Sequence, residues 1–121
     1  MTDLLTTYAE LLAERTAHAV AQRTALTAAI EAMRVARSLT FADDEHDPEG
    51  SMVSLDQARD AALLDRIEQT LVELEQARTR LESGSYGVCE RCDQDIPSER
   101  LLVRPESRLC VPCVSNHAKY A

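Results

Sequence analysis

All four cysteines of the chain lie in its last third, in two Cys-x-x-Cys pairs within "YGVCERCDQDIPSERLLVRPESRLCVPC". Each Cys-x-x-Cys turn can place two thiolates on one side of a metal ion, so two turns complete a tetrahedron of sulfur ligands. The seventeen residues between the pairs fall within the spacing typical of structural zinc sites. We therefore expect one structural zinc ion, and its ligands are Cys89, Cys92, Cys110 and Cys113.

A zinc ion with four protein thiolates keeps no open position for water or substrate, which favours a structural role over a catalytic one. The alternative is a redox-active dithiol pair or free core cysteines, but the β-α-β context of a thioredoxin-like motif is missing. The sequence has no Ser/His/Asp or Cys/His constellation and no glycine-rich phosphate loop. We expect a protein that is not an enzyme. The residues between the cysteine pairs are expected to form a short β-hairpin or turn.

The charge of the chain limits its partners. The 121 residues carry a formal net charge of −8, with one Phe, three Tyr and no Trp. Such a surface argues against DNA binding and against docking on anionic lipid, and it suits a partner with basic surface. The first twenty residues hold neither a basic segment followed by an apolar run nor a membrane span. We expect a cytoplasmic protein, where cysteines stay reduced.

Residues 3 to about 40 contain no Gly and no Pro and are expected to form one long helix. Apolar residues follow a heptad pattern, which predicts a coiled-coil stripe. The stripe consists of Leu5, Tyr8, Leu12, Ala19, Leu26, Ala29, Met33 and Ala36.

A second helix is predicted after "FADDEHDPEGS", in which Pro48 and Gly50 break the first pattern. It is expected to start at Ser54, which with Gln57 matches a capping box, and to end at Gly84. Its apolar stripe consists of Val53, Leu64, Ile67, Leu71, Leu74 and Leu81.

Two long amphipathic helices joined by a short loop predict an antiparallel hairpin, because neither helix can bury its stripe alone. The expected fold is mainly α: a long antiparallel two-helix coiled-coil hairpin (residues 1–84, tip at 42–51) followed by a small C4 zinc finger with a short C-terminal helix (residues 85–121). We expect a monomer, although a heptad stripe also permits pairing between chains.

The predicted tip, "DDEHDPEG", is acidic and contains no Lys or Arg. Clustered carboxylates on a rigid arm could approach a catalytic Mg²⁺ or basic residues of a channel. One alternative is a solvated loop whose acids help to cap the second helix. Another is a calcium loop starting at Glu45, although its last ligand would be Asp56 rather than the usual Glu.

The cysteine segment resembles the C4 zinc finger of the DksA/TraR family. The shared features are an aromatic-Gly-x-Cys entry, the seventeen-residue spacing, an Ile-Pro pair, Arg100, an Arg104-Pro105 pair and the Leu-Cys-x-x-Cys exit. The resemblance implies direct binding to bacterial RNA polymerase, with a coiled-coil tip entering the secondary channel and altering transcription initiation. It implies no sequence-specific DNA contact.

The resemblance also assigns individual residues. Asp44 and Asp47 match the aspartates of the family's tip, and Glu49 stands where a small apolar alanine is expected. The resemblance implies a response to the alarmone ppGpp in several family members, through basic residues at the boundary of finger and polymerase. Arg104 matches one such position, and Arg100 and Arg104 are candidate contacts to polymerase or alarmone.

Two further positions depart from the family pattern. Glu73 and Val114 fall where lysines would be expected, which predicts weak or no ppGpp dependence. Together with Glu49, these departures favour a competing interpretation, a zinc-stabilised adaptor that binds another cytoplasmic assembly such as a cytoskeletal filament.

Overall fold

The structure is a computed structural model that describes residues 2–40 and 50–120, with side chains at 4–39 and 54–115. It contains four helices in these ranges: α1 (Thr2–Thr40), α2 (Gly50–Ser83), α3 (Ser98–Val103) and α4 (Val111–Tyr120). Within the same ranges no β-strand forms, and one antiparallel bridge joins Val88 to Asp95. The expected mainly α fold is confirmed.

The long first helix is also confirmed, since α1 spans the whole segment that lacks Gly and Pro. The predicted start of the second helix is wrong. α2 already begins at Gly50, so Ser54 and Gln57 lie within the helix and cannot cap its start. Glycine is tolerated at the first position of a helix, where the backbone N–H has no partner within the helix. No Gly or Pro follows Gly50 before Gly84, so the helix continues.

The predicted end of α2 at Gly84 is confirmed. Gly84 has a φ of +85°, a left-handed conformation that glycine adopts without steric cost. The amide of Ser85 then donates to the carbonyl oxygen of Arg80 at 3.0 Å, closing a Schellman-type cap.

The chain divides into two compact units. The first unit combines Met1–Ala17 with Val72–Ala121, and the second is His18–Leu71. In the first unit the start of α1 lies alongside the end of α2, and both contribute to one core. Its buried residues are Tyr8, Leu12, Leu74, Ala77, Cys89, Ile96, Leu101, Cys110 and Cys113. The expected boundary between hairpin and finger at residues 84 and 85 stays a prediction.

The second unit pairs the rest of α1 with the first part of α2. Ala19 and Ile67 are buried there, and Leu26 and Leu64 are half-buried. No described helix is long and apolar enough to cross a membrane.

The heptad stripe of α2 is confirmed at its described positions, all of which are buried or half-buried. That of α1 holds at Tyr8, Leu12, Ala19 and Leu26, but the other predicted positions are exposed. These are Leu5, Ala29, Met33 and Ala36.

Further along α1, Ile30 and Arg37 are half-buried in place of Ala29 and Ala36. A straight helix of 3.6 residues per turn drifts by about 20° per heptad from a strict seven-residue repeat. The buried face therefore moves one residue onward. In α2, Ala77 rather than Arg78 lies in the core.

Candidate metal centre

The first cysteine pair lies in a tight turn after α2. The bridge between Val88 and Asp95 closes this turn, and the amide of Cys89 donates to the carbonyl of Gln94 at 2.8 Å. Asp93 has a φ of 61°, and its amide donates a hydrogen bond to the carbonyl of Cys89 at 3.0 Å. Asp tolerates this left-handed conformation better than most residues. The turn that holds Cys89 and Cys92 therefore closes with Asp93 in this conformation.

The second pair lies at the start of α4. Cys110 directly precedes the helix and Cys113 is in its first turn, where the amide of Val114 donates to the carbonyl of Cys110 at 3.0 Å. Backbone N–H groups in the first turn of a helix have no helical partner and favour negative charge nearby. The second cysteine pair thus lies where the chain enters a helix.

The segment between the two pairs differs from the expected β-hairpin or turn. Residues Ser98–Val103 form the short helix α3, which places Leu101 in the core. Pro97 occupies its N-cap position, where a fixed φ suits a helix start, and the amide of Leu101 donates to the carbonyl of Pro97 at 3.2 Å. α3 thus covers the cysteine cluster with an apolar side chain.

The four sulfur atoms lie within 4.8 Å of one another, and the Sγ atoms of Cys92 and Cys110 are 3.6 Å apart. A tetrahedral zinc ion with Zn–S bonds of about 2.3 Å requires sulfur–sulfur distances of about 3.8 Å. Cys89, Cys110 and Cys113 are buried, whereas Cys92 is more accessible. The arrangement fits one closed zinc site, and the cofactor expectation is confirmed: the chain has one structural zinc site.

The electrostatics of the cluster also fit a metal cation. Burial opposes ionisation of Cys89, but backbone N–H groups of Cys110, Cys92 and Arg91 outweigh it and lower the pKa of this thiol to about 6. Hydrogen bonding to Cys110 and burial raise the pKa of Cys113 to about 12. Four adjacent thiols therefore cannot all ionise unaided, and a divalent cation supplies the missing positive charge.

The cysteines share their core with the hairpin helices. Tyr8 of α1 is packed into the same cluster as Cys89, Cys110 and Cys113. The Tyr86 ring lies beside it, and burial raises the pKa of Tyr86 to about 12. Tyr86 thus packs between the start of α1 and the finger.

No pattern in the sequence indicates the role of Arg80. Its guanidinium donates to the carbonyl oxygens of Glu106 and Ser107, both at 3.4 Å, and lies 3.9 Å from the carboxylate of Glu90. Burial lowers the pKa of Arg80, although Glu90 counters this effect. The same carboxylate lies 4.0 Å from Arg108. The end of α2 is thus joined to the finger by a charged group.

The two candidate contact arginines differ in exposure. Arg100 is half-buried, and its Nε donates to the carbonyl of Leu109 at 3.2 Å. The Arg104 side chain is 66% exposed and pairs with Glu106 at 3.5 Å. Both arginines line one shallow cavity with Glu73, Glu106, Arg108 and Val114. The cavity therefore carries charges of both signs.

The predicted tip residues Asp44, Asp47 and Glu49 lie outside the described residues, so their roles stay predictions. The calcium-loop alternative is wrong for its second half. Residues 50–56 are already helical in α2, whereas a calcium loop of this type turns sharply at its sixth position, here Gly50, and uses a free backbone carbonyl at the seventh.

A mainly helical chain that closes one structural four-cysteine zinc site belongs to the class of zinc finger proteins. Residues 84–114 match the family described as the prokaryotic dksA/traR C4-type zinc finger. The finger of this chain thus matches the DksA/TraR zinc finger, and the resemblance seen in the sequence is confirmed.

Several curated proteins are similar to parts of the chain. An uncharacterized protein of Aquifex aeolicus (strain VF5) is 46% identical over 44 residues, which are 36% of this chain and 30% of the relative. General stress protein 16O of Bacillus subtilis (strain 168) is 32% identical over 68 residues, 56% of this chain and 42% of the relative.

The RNA polymerase-binding transcription factor DksA of Caulobacter vibrioides is 33% identical over 64 residues, 53% of this chain and 45% of the relative. The chain spans less than half the length of each of these relatives.

The fold is similar to that of a solved structure, transcription factor DksA2 from Pseudomonas aeruginosa. The two share 24% sequence identity with a TM-score of 0.54, over 90% of this chain and 84% of the other. At this identity the similarity concerns the fold alone.

Proposed function

We propose that the chain is a DksA-like transcription regulator that binds RNA polymerase through its secondary channel, without sequence-specific DNA binding. The observation that carries the proposal is the four-cysteine cluster, built on a finger of the DksA/TraR type. It is supported by a relative whose name states RNA polymerase binding. The similar fold of DksA2 is consistent with the same helical framework.

In this proposal the zinc ligands Cys89, Cys92, Cys110 and Cys113 hold the finger against α1 and α2. Zinc supplies most of the folding free energy of a small finger, because its ligands form no site in the unfolded chain. The metal centre therefore has a structural task. The protein acts by contact rather than by catalysis, as a monomer in the cytoplasm.

The acidic segment that contains Asp44, Asp47 and Glu49 is the proposed contact with the polymerase. With a formal net charge of −8, the chain is attracted to basic surfaces, and electrostatic attraction of this kind raises the rate of association. Glu49 replaces the small apolar residue of the family's tip, so we expect a weaker effect on transcription than the family pattern implies.

The proposal is tested by binding of the zinc-loaded protein to the RNA polymerase core of its own organism, combined with a transcription assay. An Asp44→Ala/Asp47→Ala variant removes two tip carboxylates. An Asp56→Ala/Asp65→Ala variant is the matched control, because it removes two exposed carboxylates from α2 and leaves the tip unchanged.

We expect the wild type and the control to bind and to change transcription equally. The tip variant should bind but change transcription less. Absence of binding at micromolar protein would overturn the proposal and favour the adaptor interpretation, in which the hairpin binds a different assembly. Binding without any dependence on the tip would contradict the role of Asp44 and Asp47.

A further inference from the structure

The five residues that lead into the second cysteine pair have an unusual hydrogen-bond pattern. Pro105 to Leu109 belong to no helix or strand, yet each of their five carbonyl oxygens accepts a hydrogen bond. The Tyr86 hydroxyl donates to the carbonyl of Pro105 at 2.8 Å. The Arg80 guanidinium donates to the carbonyls of Glu106 and Ser107, both at 3.4 Å. The Glu90 amide donates to the carbonyl of Arg108 at 3.0 Å, and the Arg100 side chain donates to that of Leu109 at 3.2 Å.

The side-chain donors come from three separate parts of the first unit. Arg80 lies near the end of α2, Tyr86 in the turn that follows it, and Arg100 in α3. The remaining donor, the Glu90 amide, lies within the first cysteine turn. Irregular segments normally leave many carbonyls to water, so a run in which every carbonyl has a protein donor is held in one conformation.

We propose that Arg80, Tyr86 and Arg100 are positioning residues for the zinc site. They hold the segment 105–109 in the conformation that presents Cys110 and Cys113 to the first cysteine pair. A segment fixed in this way opens less often in the zinc-bound protein, so zinc is released more slowly. None of the three is among the four cysteine ligands.

The proposal goes beyond polymerase binding and does not depend on it. It gives Arg100 a role inside the finger, in addition to its candidate role at a partner surface. The burial of Pro105, which is almost inaccessible to solvent, fits the same role because it fixes the start of the segment.

The test measures the rate at which the full-length protein releases zinc to a chromogenic chelator. Tyr86→Phe removes one hydroxyl donor and keeps the ring. Tyr8→Phe is its matched control because, among the described residues, the hydroxyl donor to this segment is that of Tyr86 and not that of Tyr8. Arg78→Gln is the matched control for Arg80→Gln. Arg78 lies two residues away on α2 and forms a salt bridge with exposed Glu75 instead.

We expect Tyr86→Phe and Arg80→Gln each to release zinc about 10-fold faster than the wild type, the lower end of the effect of outer-shell partners on metal affinity. The two controls should match the wild type. Arg100→Gln should behave like the first pair, and Arg100→Lys should recover part of the loss because it keeps a donor.

Two further measurements separate positioning from general stability. The Co²⁺-loaded variants should keep the absorption spectrum of a tetrahedral four-sulfur site, and amides near Leu109 and Cys110 should exchange faster in the zinc-loaded variants than in the zinc-loaded wild type. Release rates equal to those of the controls would overturn the proposal. A loss of helix content that parallels faster release would also overturn it, because the residues would then stabilise the fold rather than position the site.

Discussion

Tyr8 and Tyr86 contact each other with ring centroids 5.1 Å apart and ring planes at 50°. One ring comes from the start of α1 and the other from the turn after α2, 78 positions later in the sequence. Tyr8 is also part of the core that contains three of the zinc-site cysteines. The base of the hairpin and the metal centre therefore share one apolar core.

Replacing Tyr8 by Ala should destabilise the zinc-loaded protein by about 3 kcal/mol, because it leaves a large cavity in this core. Tyr8 is 4% exposed. The measurement is urea denaturation followed by circular dichroism. Leu4→Ala is the control, since Leu4 is 44% exposed on the same helix and its loss should cost less than about 1 kcal/mol. Equal midpoints for the two variants would contradict the shared core.

Replacing Cys110 by Ala should abolish zinc binding and unfold the finger, because three thiolates leave an open position in a site that depends on closure. Metal analysis of the purified protein should give about one zinc per chain for the wild type and none for the variant. The neighbouring Val111→Ala change, at a side chain that is 51% exposed, should leave the zinc content unchanged. An intact zinc content and normal melting in Cys110→Ala would refute the assignment.

Tyr86 should ionise near pH 12, because burial raises its pKa from an ordinary value of 10 to about 12. The folded state disfavours the phenolate, so this contribution to stability is complete below pH 10 and is lost as the pH rises towards 12. Absorbance titration at high pH gives the measurement, and subtraction of a Tyr86→Phe titration isolates the group. A difference curve centred near pH 10 would show that the phenol is not buried.

The cavity beside Arg104 should not bind ppGpp tightly. Glu73 and Glu106 line it together with the arginines, and Arg104 is paired with Glu106. We expect the wild-type complex with polymerase to bind ppGpp no more tightly than polymerase alone. A Glu73→Lys/Val114→Lys variant should bind it at least about 10-fold more tightly, because each lysine adds a charge-assisted contact to phosphate.

Glu68→Lys/Ser115→Lys provides the matched control for this prediction. It changes the net charge by the same amount at exposed positions that do not line the cavity. Equal ppGpp affinity for the control and the cavity variant would mean that net charge alone determines binding. Tight binding by the wild type would contradict the prediction itself.

The sequence predicts the zinc ligands and the helical framework well, because both depend on local spacing. Two Cys-x-x-Cys turns bring their thiols together through short-range hydrogen bonds, such as that between Cys89 and Gln94. The heptad stripe predicts the buried face of α2. It fails in the later part of α1 because a seven-residue repeat does not follow a straight helix, as the burial of Ile30 instead of Ala29 illustrates.

Polar contacts between residues far apart in the sequence cannot be predicted from local spacing. The hydrogen bonds from Arg80 to Glu106 and Ser107 join residues 26 and 27 positions apart, and nothing in the local sequence distinguishes Arg80 from exposed Arg78. α3 was missed because six residues are too few for a helical period to be recognised. Both features depend on how the finger packs against α2.

The recognisable signature of this finger is shorter than the part of the chain that it needs. The family match covers residues 84–114, whereas Tyr8 and Arg80, which contact Tyr86 and the segment 105–109, lie outside it. A graft of the matched residues onto a foreign helical hairpin would carry every zinc ligand and still lose both contacts. A transferred finger would therefore fold as it does here only if the new helices carried an aromatic residue in place of Tyr8 and a basic residue in place of Arg80.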